Sequence, residues 1–199
     1  GPVSWLIWYN GNPVARRLLL EHAETWLAAA MSTQKGKPRG VIPVQLGFDD
    51  TVGGPDPSWM GKPGLGAGGR WPDYLWYLHS LLLGAYSATG DRKYLAPFDE
   101  QFALVERIRA GGRYQKKTDA PEGSELWVYN NIVTNPGFAD AFWMVRELTG
   151  ERRFDPFLLE TGRPYVRYRL TGDKNLLVDD IEQSVNQPMR QRWPHMSSE

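Results

Sequence analysis

The feature that most constrains this chain is a Thr-Gly-Asp or Thr-Gly-Glu tripeptide that occurs three times between segments of helical pattern. The three copies are Thr89-Gly90-Asp91, Thr149-Gly150-Glu151 and Thr171-Gly172-Asp173. Glycine readily adopts the positive φ that ends a helix, and Asp is a preferred N-cap of a following helix. Each copy therefore predicts a tight turn between two helices. A turn that recurs in the same context indicates repeated helical hairpins.

The segments on the two sides of each turn differ in polarity. Residues 72–88 are apolar on nearly every face, which predicts a buried inner helix. Residues 91–110 carry one apolar stripe and a polar face, which predicts an outer helix. The same order follows Asn135 and again Pro164. An earlier amphipathic helix is predicted for 13–31, with Asn12 as its N-cap.

Two connections, 32–71 and 111–135, are much longer than the turns. The first is dense in Gly, Pro and Asp, and its alternating residues 41–46 form a candidate edge strand. Irregular connections of this length inside a compact domain are uncommon and are usually functional. If the short turns lie on one rim, the two long loops must lie on the other. We therefore expect binding and catalytic residues in these loops.

Composition narrows the class of protein. The 199 residues are enough for one domain, and we treat 1–199 as a single unit. The 23 basic and 23 acidic side chains balance, which argues against a nucleic-acid partner. There is no cysteine, the three histidines lack metal-ligand spacing, and no nucleotide-binding motif is present, so no metal or cofactor is expected. No apolar run is long enough to span a membrane.

Aromatic residues are unusually frequent, with nine Trp among 13% aromatics. One interpretation is a Trp-rich core. The other is a groove in which flat rings pack against the C–H faces of sugars. In the second interpretation, Trp59, Trp71 and Trp127 would bind the substrate.

Taken together, these hairpins make the chain resemble the (α/α) toroid class of carbohydrate-active enzymes, the glycoside hydrolases and polysaccharide lyases. The resemblance covers roughly 72–188 and rests on Tyr86-Ser87-Ala88-Thr89-Gly90-Asp91-Arg92-Lys93-Tyr94, Leu148-Thr149-Gly150-Glu151-Arg152-Arg153-Phe154 and Leu170-Thr171-Gly172-Asp173. It implies an all-α fold in which inner and outer helical hairpins form a partial toroid with two long irregular loops. Complete toroids have more hairpins than this chain, which implies that missing chain or a second copy closes the ring.

The resemblance also implies an activity, namely cleavage of a polysaccharide or oligosaccharide by hydrolysis or by uronate elimination. The alternatives are a non-catalytic carbohydrate-binding or interaction domain, and a fragment completed by missing chain or a partner. The Gly-Pro start resembles the scar that a protease leaves. If a leading segment was removed there, an extracellular or periplasmic location is favoured, as for a secreted bacterial enzyme.

A hydrolase requires two carboxylates that flank the glycosidic bond. The candidates are Asp49 or Asp50 in the first loop, Asp73 at the start of the apolar helix, and Glu122 or Glu125 in the second loop. Each has a structural alternative. In the first turn of the helix, the Asp73 carboxylate would interact favourably with the helix dipole. The pair Asp49-Asp50 is equally typical of a solvated turn.

A lyase requires a base and groups that neutralise the uronate carboxylate. The stretch Tyr129-Asn130-Asn131 offers a Tyr and two amides, and His79 would join from the apolar helix. This stretch resembles the Asn-Asn segment of alginate-lyase-like toroids. That family motif continues into His, whereas Ile132 follows here. The alternative for His79 is a core histidine that is hydrogen-bonded to a neighbour.

Overall fold

The computed structural model describes residues 11–61, 71–72, 75–112 and 120–182. Within these ranges the chain is all-helical, as predicted, and contains eight α-helices and no β-strand. The helices are α1 (Pro13–Met31), α2 (Leu75–Thr89), α3 (Ala96–Ala110), α4 (Glu125–Thr134), α5 (Pro136–Thr149), α6 (Asp155–Thr161), α7 (Pro164–Thr171) and α8 (Asn175–Ile181). The edge strand expected at 41–46 is wrong, since only an isolated antiparallel bridge joins Leu46 to Val52 there.

Helix α1 has the bounds that the sequence predicts. The Asn12 side-chain oxygen accepts hydrogen bonds from the backbone N–H groups of Val14 and Ala15 at 3.0 and 2.9 Å. Pro13 occupies the first turn, where its missing N–H leaves no helical hydrogen bond unmade. At the other end, the buried Lys37 Nζ donates to the carbonyl oxygens of Ala30 and Val41 at 2.7 and 2.6 Å. Both ends of α1 are therefore capped by side chains.

The three Thr-Gly-Asp/Glu turns share one hydrogen-bond pattern. The Thr hydroxyl donates to the carbonyl four residues earlier at 2.7–2.9 Å and accepts the N–H of the Asp or Glu at 3.1–3.2 Å. The glycines have φ of 70°, 76° and 77°. A Cβ at these glycines would meet nothing within 4 Å, so backbone conformation rather than space requires glycine. The turn prediction is confirmed, and the structure assigns the threonine a capping role.

The first two turns lie side by side. Arg92, just after the first turn, forms an ion pair with Glu151 of the second, and Arg153 pairs with Asp99 of α3. Helices α2 and α5, which end at these turns, pack against each other. The C-terminal ends of both helices therefore share one rim, and their N-terminal ends lie together at the opposite end.

The remaining helices pack largely in chain order. Helix α1 contacts α2 and α3, while α3 contacts α4, α4 contacts α5, and so on to α8. Helices α3, α5 and α6, together with the 3-10 turn before α6, meet at a cluster of buried rings, with centroids 4.7–6.0 Å apart: Phe102, Phe142, Phe154 and Phe157. Burial of these rings supplies much of the apolar core.

Two segments differ from the sequence prediction. Helix α2 is not buried on every face, because Trp76 and Tyr77 in its first turn are 64% and 58% exposed. The loop expected at 111–135 is helical over 125–134. Ser124 caps α4 by accepting the N–H of Trp127, and Val128, Tyr129 and Ile132 form its buried stripe. The prediction of an irregular second loop is therefore wrong for this stretch.

Candidate functional site

The three tryptophans predicted to bind substrate form a packed cluster. Trp71 lies 5.5 Å from Trp59 and 5.1 Å from Trp127, measured between ring centroids. Trp59 and Trp71 are each only 2% exposed, and the Trp71 indole N–H donates to the Ile42 carbonyl at 3.1 Å. Trp71 also lies 5.7 Å from Phe138 of α5, so these contacts hold the first loop against α4 and α5. The geometry favours the core interpretation over an open groove for Trp59 and Trp71, and Trp127 is partly buried beside them.

The predicted carboxylates Asp49 and Asp50 lie in an exposed turn. Asp49 accepts hydrogen bonds from the Thr51 hydroxyl at 2.7 Å and from the Thr51 N–H at 3.2 Å. These bonds lower the pKa of Asp49, since they favour its ionised form. Asp50 has a φ of 61°, a conformation that Asp tolerates in turns. Both residues match the solvated-turn alternative.

Glu125 and Asp73 are further carboxylate candidates. Glu125 is the first residue of α4, where it accepts a hydrogen bond from Arg107 at 2.6 Å and favours the helix dipole. Asp73 lies outside the described residues. Asp49 and Glu125 are thus each engaged in a local contact.

The stretch Tyr129-Asn130-Asn131 lies on α4 rather than on a loop. Tyr129 is 1% exposed, and its hydroxyl is near enough to Arg109 to help raise the pKa of that guanidinium. The Asn131 amide donates to the Trp127 carbonyl at 2.9 Å. Asn130 is half-buried and accepts a hydrogen bond at its backbone carbonyl from Thr134. Two of the three side chains therefore contact other parts of the protein.

A pocket of about 190 Å³ opens between the N-terminal ends of α2 and α5. It lies at the end opposite the two paired turns. The exposed Trp76 is part of its wall, and the Tyr77 ring stands nearly perpendicular to Trp76 at a centroid distance of 5.8 Å. The lining residues are Pro72, Leu75, Trp76, His79, Asn135, Gly137 and Phe138.

His79 supplies the most buried polar group of this pocket. Its side chain is 3% exposed and contacts the rings of Phe98 and Phe138 at 5.3 and 5.5 Å. Neither imidazole nitrogen has a hydrogen-bond partner in the part of the chain that the structure describes. Burial lowers the pKa of His79 from 6.5 to about 4, because the charged form loses its hydration. Near neutral pH the ring is uncharged, with one N–H donor and one acceptor nitrogen.

Asn135 adds a second polar group at the wall. Its side-chain oxygen accepts the N–H of Gly137 at 2.9 Å and so caps α5. Capping uses the oxygen, and the side-chain NH₂ is the donor that Asn135 offers to a ligand. The site thus combines a mostly apolar wall with a few polar groups, the composition that small-molecule sites share.

Among the predicted site residues that the structure describes, His79 alone lines the pocket. Trp76 and Phe138 were not predicted as site residues. The available signal was the spacing of Trp76 and His79, which are three residues apart and share one helix face. The apparent uniformity of α2 hid this signal, because an all-apolar helix predicts burial on every side.

Comparisons with protein-family models, with curated proteins and with solved structures find no match. Within the described residues, no group of three or more His, Asp or Glu side chains is arranged to hold a metal ion. No helix in that part of the chain is long and apolar enough to cross a membrane.

Proposed function

We propose that this chain is a carbohydrate-active protein that binds a polysaccharide or oligosaccharide at the pocket between α2 and α5. The observation that carries the proposal is the exposed Trp76, which stands beside a pocket whose wall includes His79 and Asn135. A pyranose ring has apolar C–H faces that pack on an aromatic ring, and hydroxyl groups that need hydrogen-bond partners. Trp76 supplies the first kind of contact, and the side-chain NH₂ of Asn135 supplies the second.

The arrangement of the helices supports a partial (α/α) toroid. Helices α2 and α5 would be inner helices, and α3 and α6, which follow their terminal turns, would be outer helices. In such a ring the connections at the N-terminal ends of the inner helices surround the substrate. The pocket lies at those ends. Further chain or a second copy would supply the missing hairpins.

Catalysis is the second candidate, as a glycoside hydrolase or a uronate polysaccharide lyase. None of the described lining residues is a carboxylate, so the described lining supports binding more directly than hydrolysis. The observation that favours catalysis is in the sequence, where Asp73 directly follows the lining residue Pro72. Replacement of Asp73 by Asn is the variant that tests its role.

The test is calorimetric titration of the full chain with a panel of neutral and uronic oligosaccharides. We expect Trp76→Ala to weaken binding by about 10-fold or more, since truncating an aromatic anchor commonly has this effect. Phe48→Ala is the matched control, because Phe48 is a fully exposed aromatic residue that does not line the pocket. Failure of the folded protein to bind any member of the panel would refute the proposal.

The same panel separates binding from catalysis. New reducing ends without ultraviolet absorbance from unsaturated uronates would identify a hydrolase. New reducing ends with that absorbance would identify a lyase. Binding without either signal would identify a carbohydrate-binding domain, and loss of an observed activity in Asp73→Asn would support a catalytic role for that carboxylate.

A further inference from the structure

We infer that the pocket between α2 and α5 is an end-binding site, which receives the terminal ring of a sugar chain while Tyr77 contacts the next unit outside. This inference rests on the proposed carbohydrate function. It names the part of the sugar chain that the same site recognises. A groove, in contrast, would bind rings from the middle of a chain.

The inner end of the pocket is closed by packed side chains. Leu75, His79 and Phe138 line the pocket, and all three are buried. Behind His79 lies the fully buried Phe98 of α3, at a ring-centroid distance of 5.3 Å. Close-packed side chains of this kind leave no passage for a ligand. A ring that reaches this wall therefore cannot be followed deeper by a further sugar unit.

The wall on the side of the first loop is closed as well. Trp71, which precedes the lining residue Pro72, is 2% exposed, and its ring lies 5.7 Å from the Phe138 ring. Trp59 and Trp127 pack against Trp71 in turn. This side of the pocket is therefore core, and it offers no exit along which a sugar chain could leave.

The open side of the pocket carries two exposed aromatic rings. Trp76 is the most exposed of the described lining residues, at 64%. The Tyr77 ring lies beside Trp76 at a centroid distance of 5.8 Å and an interplanar angle of 88°, and it is not part of the lining. A ring packed on Trp76 inside the pocket would thus leave Tyr77 free to contact the unit that follows it.

The size of the pocket limits how much of a chain can enter. Pockets for drug-sized ligands measure roughly 300–1,000 Å³, whereas this one measures about 190 Å³. It therefore suits one ring. An internal unit of a polymer has two neighbours, and both must leave the pocket. A terminal unit has only one, so a small pocket with a closed inner end selects chain ends.

The first experiment titrates the full chain with the mono- to hexasaccharides of the gluco, manno and galacto series. We expect the affinity to rise from one unit to two. From three units onward it should change by less than about 2-fold, since further units contact nothing in an end-binding site. An affinity that strengthens with every added unit would indicate a groove and overturn the inference.

The second experiment blocks each end of the best-binding probe in turn. Borohydride reduction opens the ring at the reducing end, and an acetal cap blocks the non-reducing end. We expect one of the two modifications to weaken binding by about 10-fold or more, because the altered ring no longer fits the pocket. The other should have little effect. Equal binding of both modified probes and the unmodified one would overturn the inference.

The third experiment separates the roles of the two exposed rings. We expect Tyr77→Ala to weaken binding of the disaccharide by about 5-fold or more and to leave binding of the monosaccharide unchanged. Trp76→Ala should weaken both. Tyr165→Ala is the matched control, because Tyr165 is an exposed tyrosine on α7 that does not line the pocket. Equal losses for both sugars in Tyr77→Ala would overturn the role of Tyr77.

These outcomes distinguish the end-binding site from the function on which it rests. Binding that is indifferent to both end blocks and that strengthens with chain length would overturn the end-binding site and leave the carbohydrate function standing. Absence of binding to every oligosaccharide would overturn both.

Discussion

At the scale of single residues, burial of His79 ties protonation to stability. The pKa is 6.5 for an unperturbed histidine and about 4 in the folded protein. Between these values the unfolded chain binds a proton that the folded protein does not. The contribution of the uncharged His79 to the free energy of unfolding is therefore fully present above about pH 6.5. It is lost as the pH decreases towards 4, by on the order of 3 kcal/mol in total.

This effect should be visible in urea unfolding curves recorded at several pH values. We expect His79→Phe to reduce the decline in unfolding free energy between about pH 6.5 and 4. His22→Phe should keep the wild-type decline, because His22 is exposed on α1. An unchanged decline in His79→Phe would show that other groups cause the acid sensitivity.

Residue-scale patterns that depend on neighbours in the sequence were predictable, and those that depend on distant neighbours were not. The Asn12 cap of α1 follows from Asn-Pro before an amphipathic segment. Burial of Lys37 does not follow from its own sequence context. Lys37 is 1% exposed because its ammonium meets carbonyls from both α1 and the following loop, and this convergence exists only in the fold.

At the scale of elements, the turn after α5 can be tested through its glycine. Gly150 has a φ of 76°, and a Cβ there would have open space around it. We expect Gly150→Ala to destabilise the protein by about 1–2 kcal/mol, since Ala is strained in the left-handed region. Gly150→Asn should cost less, because Asn tolerates that region. Equal losses in both variants, measured by chemical denaturation, would contradict this account.

The helices that sequence periodicity predicted well have clear end signals. Helix α4 was not predicted, because its sequence includes a run of weak helix formers, Trp127-Val128-Tyr129-Asn130-Asn131. It forms because Val128, Tyr129 and Ile132 share one face that packs against α3 and α5. Tertiary packing, which the local sequence does not encode, overrides propensity here.

At the scale of the whole molecule, Trp71 and Trp76 are expected to have different roles, the first in stability and the second in binding. Trp71 is buried and joins the first loop to the helices, whereas Trp76 is exposed at the pocket. We expect Trp71→Ala to reduce the unfolding free energy by about 3–5 kcal/mol, since it leaves a large cavity. Trp76→Ala should reduce it by less than about 1 kcal/mol. Thermal unfolding of the two variants side by side checks this contrast, and a larger loss for Trp76→Ala would contradict it.

The candidate site itself lay beyond sequence reasoning. Its walls come from Pro72, from residues 75–79 and from residues 135–138, which approach only because α2 and α5 pack side by side with their turns on one rim. Loop composition predicted Asp49, Asp50 and Glu125 as site residues, but Asp49 and Asp50 lie in an exposed turn and Glu125 pairs with Arg107 at the start of α4. Histidine was the exception, since His79 could be named from its unusual place on an apolar helix.

The similar geometry of the three turns also bears on how such a chain changes length. Each turn ends one helix with the same threonine hydrogen bonds, and nothing crowds its glycine. A duplication or deletion whose two breakpoints fall in two of these turns would rejoin helix ends of matching geometry. Gene rearrangement could therefore add or remove whole hairpins and leave every junction in the chain intact.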